Sequence, residues 1–180
     1  MTKQSSSAAA RVGEITKNVR EAIGQTRSLA RGLSPVTLES AGLMTALQEM
    51  AANAEKLFKI TCRFDCDPPV PVDDPMVASH LFRIAQEAVS NAIKHGLAKR
   101  VSISLHNDSN HVVLCVNDNG RGFRSGPVDT KGMGLRIMQF RAGMIGGTLV
   151  VERAASGGVM VVCSAPSRGV SPKTRNTHGR

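Results

Sequence analysis

One helix face and two glycine turns, in a fixed order, limit what this chain can fold into. Glu87-Ala88-Val89-Ser90-Asn91 sits in a stretch of helical periodicity. Asp118-Asn119-Gly120-Arg121-Gly122-Phe123 follows an apolar, strand-like run, and Gly132-Met133-Gly134-Leu135 opens a second helical stretch. Asp-Asn-Gly alone reads first as an Asx turn closing a hairpin. The ordered set asks for more. Gly120 and Gly122 permit backbone angles and approach distances that a Cβ forbids, and a glycine turn running straight into a helix leaves that helix's first N–H groups free to hold an anion. Together the three elements read as a nucleotide pocket.

The bulk properties agree with that reading and exclude others. A chain of 180 residues with 41% hydrophobic content has material for one packed domain plus an appendage. With five Phe and no Trp or Tyr, its core must be aliphatic, which disfavours a single-strand binder that stacks bases on aromatic rings. The net charge of +9 includes Arg168, Lys173, Arg175 and Arg180, in a final stretch without an acid. A solvated basic tail and a pocket for an anionic ligand account for this charge, and no nucleic-acid partner is expected. Cys62, Cys115 and Cys163 fall in apolar stretches and form no pair of CxxC knuckles with Cys66, so reduced thiols are expected rather than zinc or disulfides. No apolar run approaches the length of about 20 residues that spans a bilayer, and the Ser/Ala-rich start lacks a signal-peptide core. The segment is expected to be cytoplasmic without membrane contact, which leaves room for a membrane anchor elsewhere in a parent protein.

Along the chain, Val12, Ile15, Val19, Ala22, Thr26, Leu29 and Leu33 alternate steps of three and four, the seam of a helix that pairs with another helix. Pro35 ends it by disfavouring helical geometry at Ser34. A homodimer through this helix is expected, giving a division into 1–35 as partial dimerisation helix, 36–166 as the main domain and 167–180 as a disordered basic tail. Within the main domain the pattern predicts a helix from Ser40 to Leu57 with Leu43, Leu47, Met50 and Ala54 on one face. A strand over 59–65 follows with Ile60, Cys62 and Phe64 inward, then a helix over 75–97 opened by Pro75. Strands are expected at 100–105 and 111–117 around a turn at 107–110, a helix at 133–145 closed by Gly146-Gly147, and a hairpin of 148–153 with 159–164.

At about 100 degrees per residue, Glu87, Asn91, Lys94 and His95 share one helix face beside the apolar stripe of Leu81, Ile84, Ala85 and Ala88. Asn91 offers a neutral oxygen of the kind Mg²⁺ accepts alongside water and phosphate. Lys94 and His95 can offset phosphate charge, and Glu87 can orient or deprotonate an attacking group. Asp118, ending its strand, can accept from an exocyclic amine such as adenine presents. Taken singly, each of these residues is also ordinary surface decoration.

Residues 82–95, with Phe82-Arg83-Ile84-Ala85-Gln86-Glu87 leading to Asn91 and Lys94-His95, resemble the N box of sensor histidine kinases. Asp118 to Phe123 resembles their G1 box and Gly132 to Leu135 their G2 box. The resemblance covers about 36–166 and is strongest to the subfamily paired with helix-turn-helix response regulators. It implies an α/β architecture, the Bergerat fold, a two-layer α/β sandwich with a mixed sheet, here preceded by a long N-terminal dimerisation-type helix. It also implies ATP and Mg²⁺ as cofactors and a response regulator as partner. Asn91 is thereby assigned to the metal, Glu87 to the acceptor, and Asp118 to adenine. Gly132 and Gly134 go to the phosphates and to a mobile lid that includes Gly126 and Pro127. The chain departs from the pattern at Gly157-Gly158-Val159, where Gly-Gly-Thr is usual, and at Phe140-Arg141, where Glu-Arg is usual. Since it begins at the second helix of a dimerisation hairpin and none of its five His has an acceptor-like context, self-phosphorylation is not expected. An anti-sigma-type regulatory module, or ATP-gated binding without catalysis, are the alternative readings.

Overall fold

The computed structural model describes residues 42–122, 132–155 and 157–167. The expected heptad helix, the Ser40 cap, the Gly126-Pro127 segment and nearly all of the basic tail lie outside them. The described residues belong to one compact unit beginning at Leu38. Its elements are α1 (Gly42–Phe58), β1 (Thr61–Asp65), α2 (Pro75–Lys94), β2 (Arg100–Asp108), β3 (His111–Asp118), α3 (Met133–Met144), β4 (Thr148–Arg153) and β5 (Val159–Pro166).

The five strands form one sheet in the order β1-β2-β3-β5-β4. β1 runs parallel to β2 and every other pair is antiparallel, so the sheet is mixed. Cross-strand partners point to the same side, and the register aligns Val101 with Asp118, Ile103 with Val116, and Leu114 with Cys163. These are buried residues, and they form the inner face. The three helices lie on it, α1 against β1 and β2, α2 in the middle, and α3 against β4 and β5. The core between the layers is aliphatic, centred on Leu47, Leu81, Ile84, Ile103, Leu114 and Met138. The partners Ser102, Asn117, Met160 and Glu152 run across the outer face.

Local chemistry sets the boundaries. The Asp74 carboxylate accepts from the N–H groups of Met76 (2.8 Å) and Val77 (3.4 Å), and Pro75 occupies the first turn, where its missing N–H is no loss. At the other end α2 stops at Lys94, three residues short of the expected 97. The N–H groups of His95 and Gly96 both return to the Asn91 carbonyl, and Leu97 takes a left-handed φ of 53°. β1 starts at Thr61 rather than 59, because Lys59 is also left-handed, at φ 53°. On α1 the buried positions are Leu43, Leu47, Ala51 and Ala54, with Ala51 taking the place expected for Met50. The β2–β3 hairpin is tighter than expected: pairing continues to Asp108 and His111, and Ser109 at φ 55° makes the turn. Gly146, at φ 66°, closes α3 in the manner anticipated.

Leu81 is fully buried in the centre of α2. Leu81→Ala should therefore lower unfolding free energy by about 2–5 kcal/mol, measured by urea denaturation followed by far-UV circular dichroism. A loss as small as that of a surface substitution would contradict the core assignment.

Candidate nucleotide site

The site is built around the end of β3. Asp118 lies in the inner-face row with Val101 and is only 6% exposed. Its Oδ1 accepts the Gly120 N–H at 2.7 Å, the geometry of an Asx turn, and the Val159 N–H also donates to the carboxylate. The turn reading and the ligand reading thus coexist: the backbone holds the carboxylate in one orientation. Burial pushes the Asp118 carboxyl above its ordinary value, against the pull of the Gly120 and Val159 N–H groups, which favour the charged form.

Close backbone approach explains the glycines. A Cβ at Gly120 would stand 2.5 Å from the Gly96 carbonyl oxygen, to which Arg121 N–H donates at 2.8 Å. A Cβ at Gly158, which has φ 78°, would run into the Asp118 carbonyl and carboxylate. Gly122, at φ 66°, lies against the Gly158 carbonyl. Asn119 secures the turn from the other side, its Oδ1 accepting the N–H groups of Lys99 (3.0 Å) and Arg100 (2.7 Å). Gly96 is a contributor that sequence reasoning passed over, while Asn119 and Gly157-Gly158-Val159 are singled out there without these backbone contacts. A backbone donor leaves no mark on residue identity, and only the Asn directly after the Asp offered a signal.

The second glycine turn meets the helix face. A Cβ at Gly134 would overlap the Glu87 carboxylate and stand 3.3 Å from Asn91 Nδ2. The first turn of α3 is therefore seated on the Glu87–Asn91 face of α2. α3 has no side-chain cap at Gly132 and no acid in its first turn, so the N–H groups of Met133, Gly134 and Leu135 keep their capacity to hold an anion. The Met133 side chain is 78% exposed, so its contribution is its backbone. Glu87 and Asn91 are half-buried, whereas Lys94 and His95, at the end of the same helix, are exposed. The structure thus gathers Glu87, Asn91 and Gly134 at one point and Asp118, Gly120, Gly122 and Gly158 at another, both on the helix side of the sheet. At the departure 140–141, Phe140 is 68% exposed, and the buried Arg83 bonds Gln86 Oε1 at 3.0 Å.

Among the described residues no group of three or more His, Cys, Asp or Glu could hold a metal by itself. A cation held at Asn91 could complete its shell with phosphate and water, and an amide oxygen with those ligands is a set that Mg²⁺ accepts. The residues fit that ion. Cys62, Cys66, Cys115 and Cys163 are all free thiols, and burial pushes the Cys62 and Cys163 thiols up to about 11. No helix among the described residues is long and apolar enough to cross a membrane.

Comparison with known proteins follows the same lines. Residues 76–169 match the family model described as histidine kinase-, DNA gyrase B- and HSP90-like ATPase. The chain is 35% identical over 146 residues to the sensor histidine kinase LiaS of Bacillus subtilis, a match covering 81% of this chain and 40% of LiaS. It is 33% identical over 156 residues to the nitrate/nitrite sensor protein NarQ of Escherichia coli, covering 85% of this chain and 27% of NarQ. The chain thus spans less than half the length of these curated relatives. Among solved structures, the ATP-binding domain of PrrB from Mycobacterium tuberculosis superposes with a TM-score of 0.59 at 25% identity, covering 71% of this chain and 95% of that domain. The Acinetobacter baumannii histidine kinase AdeS, at 17% identity and a TM-score of 0.60, shares the fold over 88% of this chain and 84% of its own.

The raised carboxyl of Asp118 has a measurable consequence. The folded state holds this proton more tightly than the unfolded chain does, so the group's contribution to stability is complete at low pH. It declines as pH rises from the ordinary carboxylate value through the higher folded value. Asp118→Asn keeps one acceptor oxygen, available to the Gly120 N–H, and cannot ionise, so it should abolish that decline. Urea midpoints collected across pH for the two proteins check this; parallel curves would refute it.

Proposed function

Because the chain belongs to the histidine kinase-, DNA gyrase B- and HSP90-like ATPase family, we propose that it is the ATP-binding catalytic region of a two-component sensor histidine kinase. It would transfer the γ-phosphoryl group of ATP to a histidine on a dimerisation helix, for relay to a response regulator. The observation that carries this reading is the seating of Gly134 on Glu87 and Asn91. It sets a helix N-terminus, a carboxylate and an amide around one space on the same side of the sheet as Asp118.

Phosphoryl transfer asks a protein mainly to position reactants and to neutralise charge. Asp118 accepts from the adenine amine, its direction held by the Gly120 and Val159 N–H groups. The N–H groups of Met133, Gly134 and Leu135 hold phosphate oxygens, Lys94 and His95 offset their charge, and Gly132, without a side chain, leaves the helix start open to them. Asn91 supplies the protein's oxygen to Mg²⁺, which when bound withdraws charge from the phosphates. Glu87 approaches the acceptor imidazole and takes or orients its proton. The backbone donor at 159 supplies polar support beside Asp118 without the hydroxyl of the usual threonine. A homodimer through the N-terminal helix and a membrane-anchored parent complete the proposal.

Calorimetry with Mg²⁺ and ATP should give saturable binding, and Asp118→Asn should remove it while far-UV dichroism is unchanged; binding that survives the substitution would refute the adenine role. Given a dimerisation hairpin that carries its acceptor histidine, the protein should form acid-labile phosphohistidine. Glu87→Gln should slow that transfer by about a hundredfold with ATP affinity retained. Normal transfer by Glu87→Gln would remove Glu87 from the chemistry.

A further inference from the structure

On the outer face of the sheet, away from the helices, a hollow of about 440 Å³ opens at the edge formed by β1 and β2. It is lined by Thr61, Arg63, Arg100, Ser102, Asn117 and Asn119, among others. The register explains the cluster. Thr61 stands opposite Arg100, Arg63 opposite Ser102, and Ser102 opposite Asn117, so the two arginines sit on a diagonal of one face with hydroxyls between them. Among the described residues neither guanidinium has a hydrogen-bond or ion-pair partner. Asp65, the remaining acid on this side of β1, is opposite Ser104, one pair further along. Asn117 Oδ1 is buried without a hydrogen-bond partner, so this row's polar groups are not saturated by the described protein.

Two like charges held on neighbouring strands without an acid between them repel each other. A bound anion turns that repulsion into attraction. Guanidinium groups present paired N–H donors in a fork that matches the oxygens of phosphate or carboxylate; the Thr61 hydroxyl can donate as well, and that of Ser102 can do so by leaving the Asn117 carbonyl, to which it donates at 3.5 Å. The volume falls within the range of about 300–1,000 Å³ usual for small-molecule sites.

We propose that this hollow is a binding site for a compact polyanion, of the phosphoryl or polycarboxylate class, held between Arg63 and Arg100 on the outer face of the sheet. Val101 and Asp118 also line the hollow, but the side chains that would hold the anion, those of Thr61, Arg63, Arg100 and Ser102, alternate to the face opposite the nucleotide site. The test is a titration of the ¹⁵N-labelled full chain, without divalent cations, with inorganic pyrophosphate and in a second arm with citrate. Saturable shifts are expected at the amides of 61–63, 100–102 and 117 with at least one probe. Arg63→Gln and Arg100→Gln should each weaken that binding by about tenfold or more, while Lys56→Gln, at an exposed position of α1 on the helix side, leaves it unchanged. The arm that saturates identifies the class. Both arginines are exposed, so the unliganded spectra of the variants should match the parent away from the substitutions. Shifts confined to 132–135, shifts without saturation for both probes, or affinity indifferent to both arginine substitutions would each overturn the proposal.

Discussion

The arrangement depends on a carboxylate held in a place where charge is costly. Asp118 is taken out of water at the end of β3, and burial works against its ionised form. What makes the position tenable is backbone: the Gly120 and Val159 N–H groups point at the carboxylate. For those donors to reach it, two chain segments must approach more closely than any side chain allows, which is why 120 and 158 are glycines. In the proposed role, a ligand amine would meet an acceptor that is already oriented and poorly hydrated. That is the condition under which a single hydrogen bond discriminates best.

The same economy governs the other half of the site. Gly134 lets the start of α3 rest on the Glu87 carboxylate and the Asn91 amide, so the dipole of one helix and the polar face of another address the same small volume. Rigid parts supply this geometry. α2 is capped by Asp74, stapled by buried Leu81 and Ile84, and closed by a double return to the Asn91 carbonyl. The residue assigned to the cation is therefore also the one whose backbone ends the helix. This ties the side chain of Asn91 to a well-defined terminus.

Each face of the sheet carries its own chemistry because side chains alternate along a strand. Asp118 and the Asn117 beside it point to opposite sides: one toward the helices and the nucleotide site, the other toward Arg63 and Arg100. Asn119 links the two, since its Oδ1 clamps the N–H groups of Lys99 and Arg100 while its neighbours shape the turn around Asp118.

Much of this was legible in the residues themselves. Helical periodicity put Glu87 and Asn91 on one face, alternation marked the inward residues of β2 and β3, and the glycine turns stood out by composition, because each is a local rule acting over a few residues. Helix and strand ends were read less well. Lys59, Leu97 and Ser109 adopt left-handed angles that nothing in their identity announces, and the extra β2–β3 pairs form because a neighbouring strand is there to accept them. Only tertiary structure could decide that β1 joins β2 in parallel, that Gly134 rests on Glu87, that Val159 offers its N–H to Asp118, and that Arg63 and Arg100 meet over one hollow. These are contacts between residues far apart in the chain, fixed by how the layers pack, and no pattern of neighbours along the sequence encodes them.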